Sequence, residues 1–458
     1  MSVNPAMSAC PPGGTFETPH SNLARTPGRR RKGGGRTLRG LIGAAALLGL
    51  SGCGDSAPPR RPSASSAPAV TEQLGRLRHE PIGRLNTGHH PWVSNLITVD
   101  LDRDGREDAI GCEAQDHEVI WLRQLPGGRF EEIVVARDMR GPVHTSAADL
   151  DGDQDLDLLV ASMGELFPNN DRIGTLFALE NDGQQSFTPR VLLERVARIT
   201  DVQPGDFNAD GRIDLAVVQF GYDQGEVRWL ERTGPWEFRS HVLLSLAGGV
   251  NLRVADFTGD GMPDFAVNLS QQWEEVHLFE NNGRGSFTSR TLFGSTNDDF
   301  AMSNLAAGDL DGDARPDIVF ANGDGFGPTS EPGPRPWHGV QWLQNQGNGM
   351  FQFRRIGTLA GAYSPVVVDL DQDGHRDVVA ISAFNDWSSP RAISMIWFRN
   401  DGRLNFTPVI LAREPTHLLA LVAVRLDGDP RPALISGAFH AYPPYDRRSR
   451  FLLWRHVD

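Results

Sequence analysis

Asp100-Leu101-Asp102-Arg103-Asp104-Gly105-Arg106-Glu107-Asp108 sets carboxylates at positions 1, 3, 5 and 9 of a nine-residue stretch. Five further copies begin at Asp149, Asp206, Asp256, Asp309 and Asp369. A seventh, begun by Arg425 and ended by Ala433, has lost both end acids. Consecutive starts lie 49, 57, 50, 53, 60 and 56 residues apart. A period of roughly 50 residues marks one supersecondary unit repeated in a stack or a ring.

The unit reads outward from the acidic stretch. In the sixth copy, Pro365–Val368 leads into it and Asp377–Ser382 leaves it. Ala392–Phe398 follows a variable segment, Asn400-Asp401-Gly402 makes a turn, and Phe406–Leu411 ends the unit. These runs are short, β-branched and aromatic, and Gly, Asn and Asp punctuate them, which is the signature of strands. The turn recurs as Asn181-Asp182-Gly183, Asn281-Asn282-Gly283 and Asn345-Gln346-Gly347, sequences that accept the positive φ of tight hairpins. Trp121, Trp229, Trp342 and Trp397 share one place in the third run and read as packing between neighbouring sheets. Helical periodicity is nearly absent, which excludes α/β folds and helical solenoids.

An all-β, seven-bladed β-propeller of four-stranded blades over residues 76–458 is therefore expected. The seventh unit supplies Leu419–Leu426, Ala433–Phe439 and Phe451–Trp454 and then lacks a fourth strand. Leu77–Leu85, upstream of the first acidic stretch, reads as a fourth run without a unit. It is expected to pair with Phe451–Trp454 and close the ring, removing free strand edges.

The acidic stretch has the ligand pattern of a hard cation. Oxygens at positions 1, 3, 5 and 9 with a backbone carbonyl at position 7 suit calcium, which takes six to eight oxygens at about 2.3–2.6 Å. Zinc prefers His or Cys. The expected ligands are Asp100, Asp102, Asp104 and Asp108; Asp149, Asp151, Asp153 and Asp157; Asp206, Asn208, Asp210 and Asp214; Asp256, Thr258, Asp260 and Asp264; Asp309, Asp311, Asp313 and Asp317; and Asp369, Asp371, Asp373 and Asp377. That is up to six calcium ions. Gln154 and Ala314 stand where the sharp turn favours Gly. In the seventh copy Arg425 is expected to offer its guanidinium to Asp427 or Asp429 in place of a metal. The ions are expected to clamp hairpins and offset repulsion among 22 carboxylates, not to contact a partner.

Acidic loops of the Asp-Leu-Asp-Gly-Asp type followed by Asp-hydrophobic runs, as in Asp309 to Phe320 and Asp369 to Ile381, resemble the FG-GAP/VCBS-type repeat family. That family includes the calcium-binding blades of integrin α-subunits. The resemblance covers about residues 77–458 and implies a seven-bladed propeller with calcium in its blade loops. It departs at Arg425–Ala433 and weakens at Gln154 and Ala314. The family holds adhesion modules, lectin-like domains and polysaccharide lyases, so it implies no single activity.

The ends of the chain point outside the cytoplasm. Arg29, Arg30, Arg31, Lys32, Arg36 and Arg39 precede an apolar run, Leu41–Leu50, and then Ser51-Gly52-Cys53. Residues 1–52 read as a secretory signal and resemble a bacterial lipoprotein signal, whose processing leaves Cys53 lipidated. The run is too short to span a bilayer core of about 30 Å. Residues 53–75, rich in Pro, Ser and Ala, form an expected tether. A lipid-anchored, extracytoplasmic protein at the bacterial cell envelope follows, with the membrane engaged through the anchor alone.

Residues 1–52 hold seven basic and one acidic side chain, so the chain's net charge of −14 becomes −20 on the remainder. Such a body lacks the basic footprint of nucleic-acid binding. Cys112 is the only thiol beyond Cys10 and Cys53, so no internal disulfide is expected in a mature chain, and a monomer is expected.

The loops between second and third strands should lie on the face opposite the acidic loops. Met163–Ile173, Ala321–Gly339, Ala383–Arg391 and Gly437–Arg450 vary in length and carry aromatics. Variable loops on a rigid scaffold are where binding concentrates. Candidate ligand-face residues are His89, His90, Trp92, His144, Tyr222, Trp273, Trp337, Tyr363, Trp387, His417 and Tyr442, and a glycan or protein is the expected ligand. The plain alternative is that several of these rings plug the central channel or pack under their own loops. A transition-metal site there would require His89, His90, His144 and His417 to converge. No catalytic motif occurs: no nucleophile elbow, zinc-protease helix or phosphate loop. A calcium-stabilised binding or adhesion module is favoured over an enzyme. A polysaccharide lyase or hydrolase, with His144 or His417 as base and Arg253 beside it, is the alternative.

Overall fold

The computed structural model describes residues 77–85, 88–167, 169–271, 273–326, 333–445 and 448–457. The signal, Cys53 and the tether lie outside the described residues. All regular structure among the described residues is strand, in seven four-stranded antiparallel sheets. In blade 1 the order from the axis outward is Val93–Val99, Asp108–Glu113, Glu118–Leu125 and Arg129–Ala136. The other innermost strands are Pro142–Ala148, Arg198–Gly205, Gly249–Ala255, Met302–Gly308, Ala362–Val368 and Leu418–Arg425. Each packs against the next, and Leu418–Arg425 packs back against Val93–Val99. The seven sheets therefore form a closed β-propeller, as the sequence repeat requires.

Closure uses the first strand. Blade 7 takes Leu418–Arg425, Pro432–Ala438 and Ser449–His456 from the end of the chain and Leu77–Leu85 from its beginning. Leu77 pairs with His456 and Ile82 with Phe451 in antiparallel register. The expected pairing with Phe451–Trp454 is what the structure shows.

Burial follows position in the blade. The second strands, such as Asp108–Glu113 and Asp377–Ser382, are buried at every residue. Neighbouring blades cover both faces, so these strands read as continuous apolar runs and not as alternation. Outer strands such as Phe187–Val196 mix exposed and half-buried positions. The third-strand tryptophans Trp121, Trp342 and Trp397 are at most 2% exposed, and the core clusters join successive blades. Gly285 shows how close the sheets come: a Cβ there would meet the Trp229 ring at 2.1 Å.

Candidate functional site

Each acidic stretch joins the first and second strands of a blade, so all seven lie on one face. Position 9 opens the second strand and is buried in all six intact copies. In blade 6, Asp377 accepts backbone N–H groups from Leu370 at 3.0 Å and Asn400 at 2.8 Å. The same pair of contacts holds Asp108, Asp157 and Asp317. One carboxylate thus ties the loop to the end of the third strand. The Trp229 indole N–H donates to Asp214 at 3.1 Å, whereas the Trp121 and Trp342 indole nitrogens are buried without a hydrogen-bond partner. In blade 3 the repeated tryptophan thus ties down the loop as well as packing the sheets. Burial still pushes Asp108, Asp157 and Asp377 up to about 6 and Asp317 to about 7, because desolvation disfavours the anion.

Carboxylates at positions 1, 3 and 9 gather in four loops: Asp100, Asp102 and Asp108; Asp149, Asp151 and Asp157; Asp309, Asp311 and Asp317; Asp369, Asp371 and Asp377. In each group one oxygen per residue lies within 4.8 Å of the others. Loops beginning at Asp206 and Asp256, where Asn208 and Thr258 replace an acid, form no such group among the described residues. Asp102 Oδ1 and Asp371 Oδ1 are buried without a hydrogen-bond partner. Arg123 holds the other Asp102 oxygen at 2.6 Å, and Arg399 the other Asp371 oxygen at 2.7 Å. A partnerless buried carboxylate oxygen facing two more carboxylates fits a hard cation and little else.

Position 5 is paired with an arginine in four of the six copies. Asp104 pairs with Arg106, Asp210 with Arg212 and Asp313 with Arg315, while Asp373 pairs with Arg399 at 3.1 Å. In the first three of these the arginine lies two residues on; Asp373 is followed there by His375. Position 6 has φ of 68–88° in all six copies, including Gln154 at 79° and Ala314 at 68°, so the two non-glycine residues adopt the left-handed turn that Gly favours.

The seventh loop closes differently. Arg425 turns to Glu107 of blade 1 at 2.6 Å, not to Asp427 or Asp429 as expected. Asp429 pairs with Arg431 at 3.1 Å, and Asp427 accepts the Gly127 N–H at 2.8 Å. With Ala433 in place of the position 9 acid, the Trp454 indole donates to Ser436 at 2.8 Å.

On the opposite face the structure divides the expected ligand-face residues into three kinds. Trp92, Phe167, Phe326, Tyr363, Phe384, Phe439 and Tyr442 pack edge to face, with centroids 4.8–6.5 Å apart, and cap part of the funnel mouth. Trp92, Tyr363 and Tyr442 thus belong to one cluster of packed rings, and Tyr363 also lines the axial cavity. His144 and His417 are buried, while Trp337 is tied to the Asp299 carbonyl at 2.7 Å. Trp273 is exposed, and Tyr222 and Trp387 are half-buried.

The four histidines do not converge. His89 lies 2.5 Å from Asp116, His144 lies 3.0 Å from Asp201, His90 stacks on Tyr445, and His417 lies beside Trp387 and His440. Arg253 joins His144 on Asp201, at 3.1 Å.

Asp201 belongs to a belt that sequence reasoning missed. Five residues before each acidic stretch stand Asn95, His144, Asp201, Asn251, Asn304, Ser364 and Ala420. Six of these side chains reach the next inner strand. Asn95 accepts the Thr145 N–H at 3.1 Å, His144 meets Asp201, and Asp201 accepts the Leu252 N–H at 2.9 Å. Asn251 accepts from Leu305 at 3.0 Å, Asn304 from Ser364 at 3.3 Å, and Ser364 donates to the Leu419 carbonyl at 2.6 Å. Only Ala420, in the closing blade, makes no such link. The fixed offset from the acidic pattern was the available signal.

Inside this belt lies an axial cavity of about 140 Å³. Every blade contributes to it, through Asn95, His144, Arg198, Asn251, Asn304, Tyr363 and Leu419. Its lining comes from the beginnings of the inner strands and from second-to-third-strand loops, so it lies on the face away from the acidic loops.

The family comparison agrees with this geometry. The FG-GAP-like repeat profile matches residues 100–160, 149–217, 206–267, 256–320 and 369–436. A search of curated proteins finds no match. Among solved structures the chain is similar to BBS1N in complex with ARL6DN, at 10% identity and a TM-score of 0.48, over 84% of this chain and 98% of that one. With its repeats matched over more than half its length, the chain belongs to the FG-GAP-like repeat family.

Proposed function

We propose that this chain is a calcium-stabilised, extracytoplasmic binding module that takes a glycan or protein on the face opposite its acidic loops. The observation that carries this reading is the division of labour between the faces. The acidic carboxylates are turned onto their own backbone and arginines, whereas the opposite face opens into a cavity that no two blades line alike. The four three-carboxylate loops are the stronger calcium sites, and those with Asn208 and Thr258 the weaker ones. The basic stretch, the apolar run and Cys53 support export and lipid anchoring, and the acidic body argues against nucleic acid.

The test has two parts. Calorimetric titration of calcium into chelator-treated protein should show tight sites. A glycan and envelope-protein array probed with the calcium-loaded chain should then show binding that Tyr222→Ala or Trp387→Ala weakens. No calcium uptake, or a ligand footprint on the acidic face, would sink the reading.

A further inference from the structure

Arg198 is the anomaly of the axial cavity. Its side chain is 1% exposed. Nη1 donates to the carbonyls of Glu165, Leu166 and Phe167 at 3.3, 3.2 and 2.9 Å, which fixes the guanidinium in one orientation. Its carbon lies 4.8 Å from the Phe220 ring centre and 5.7 Å from that of Tyr222. Nε and Nη2 are buried with no hydrogen-bond partner. The Tyr222 hydroxyl and the Glu165 carboxylate lie close enough to favour its charge, and Asp324, on the wall of the same cavity, accepts the Tyr363 hydroxyl at 2.6 Å; among the described residues no carboxylate forms an ion pair with Arg198. A buried charge without a counter-ion is costly. Nε and Nη2 form the edge of the guanidinium that grips a carboxylate with two parallel hydrogen bonds.

The rest of the cavity describes the body that would carry this carboxylate. Asn95 and Asn304 commit their carbonyl oxygens to the next blade, which leaves their amide N–H groups to donate into the cavity they line. Aromatic walls come from Tyr222, Phe326 and Tyr363. Amide donors beside aromatic faces suit a ring with hydroxyls on its edge and C–H groups on its face. The cavity of about 140 Å³ is open on one side, so it can seat one sugar ring that projects partly from it, and it is too small for a chain.

We propose that the axial cavity binds a single carboxylated sugar, a uronate-type unit, with its carboxylate on the Nε–Nη2 edge of Arg198. The proposal rests on the reading of this face as the binding face and names the ligand class. The test titrates the calcium-loaded full chain with galacturonate, glucuronate, galactose, glucose, acetate and inorganic phosphate. At least one uronate should bind roughly tenfold or more tighter than its neutral parent sugar, the worth of a charge-assisted bidentate contact. Acetate and phosphate should bind more weakly than that uronate. Arg198→Met should erase the preference while neutral-sugar binding persists; it should also lower the melting temperature, because the Glu165, Leu166 and Phe167 carbonyls lose their donor. Asn304→Asp, which puts a negative charge on the wall with little change of shape, should weaken uronate and spare neutral sugar. It carries the test should Arg198→Met not fold.

Equal binding of uronate and neutral sugar, an uronate preference untouched by Arg198→Met, or acetate or phosphate matching uronate would each overturn the proposal. A neutral glycan or protein bound on this face in preference to uronate and unaffected by Arg198→Met also overturns it, but leaves the binding-face reading standing. A face that binds nothing removes both.

Discussion

Blades 6 and 7 solve one structural problem with different chemistry. In blade 6 the loop from Asp369 to Asp377 gathers three carboxylates around a partnerless Asp371 oxygen, and Asp377 locks the loop to the third strand. Its outer strand, Phe406–Ala412, comes from its own unit. In blade 7 the same nine positions hold Arg425 and Ala433, ion pairs and backbone donors tie the loop down, and the outer strand is borrowed from Leu77–Leu85. A loop can therefore do without its cluster of carboxylates when other contacts hold it and the blade is fastened by the two ends of the chain.

The largest effect should come from removing that fastening. A chain beginning at Asn86 would leave Ser449–His456 as an exposed edge. Loss of cooperative unfolding by circular dichroism, or dimers in light scattering, is expected; a monomer of unchanged stability would show that the borrowed strand is dispensable. Next comes metal removal. A site at a thousandfold its dissociation constant contributes about 4 kcal/mol, so excess EGTA should lower the melting temperature by roughly 10 °C or more. Asp371→Asn should shrink that shift and Asp427→Asn should leave it unchanged, since only the first belongs to a carboxylate group.

A buried carboxylate away from the loops extends the comparison. Glu274 accepts from Ser270 at 3.1 Å and from the Met302 N–H at 2.9 Å, and burial pushes it up to about 8. Its folded form keeps a proton that the unfolded chain releases near the usual carboxylate range. Its contribution is therefore full at low pH and is lost as pH rises from about 4.5 to 8, by at most about 1.4 kcal/mol per pH unit. Urea midpoints measured across that range should flatten in Glu274→Gln.

Asp377→Ala should cost about 3 kcal/mol, because it orphans two buried N–H groups. Ser436→Ala, which removes only the Trp454 contact in blade 7, should cost about 1 kcal/mol. Comparable losses would erase the distinction between the two loops. The smallest effect is a gain: Gln154→Gly should stabilise by about 1 kcal/mol by relieving a left-handed φ of 79°.

Much of this architecture was legible because the acidic pattern fixes phase. Once Asp100 to Asp108 is aligned with its copies, strand order, blade number and the missing seventh outer strand follow from spacing alone. The tryptophans were read as packing, and the bond from Trp229 to Asp214 depends on a distance between strands that spacing does not give. The arginines paired with position 5 in four loops were not anticipated, because a pattern of acids is silent about nearby cations. The belt from Asn95 to Ser364 escaped because its members differ in chemistry while sharing an offset. Arg198 was invisible, since nothing local distinguishes a buried guanidinium from the other arginines of the chain.

The borrowed strand also sets an orientation. Leu77 pairs with His456 and, with Asp371 and Arg431, lines a cleft beside the acidic loops, while Leu85 pairs with Ser449 at the other end. The ring is thus entered at its rim, from the acidic side. The strand that seals the ring therefore begins beside the carboxylate loops and runs toward the end of its blade from which the Arg198 cavity opens.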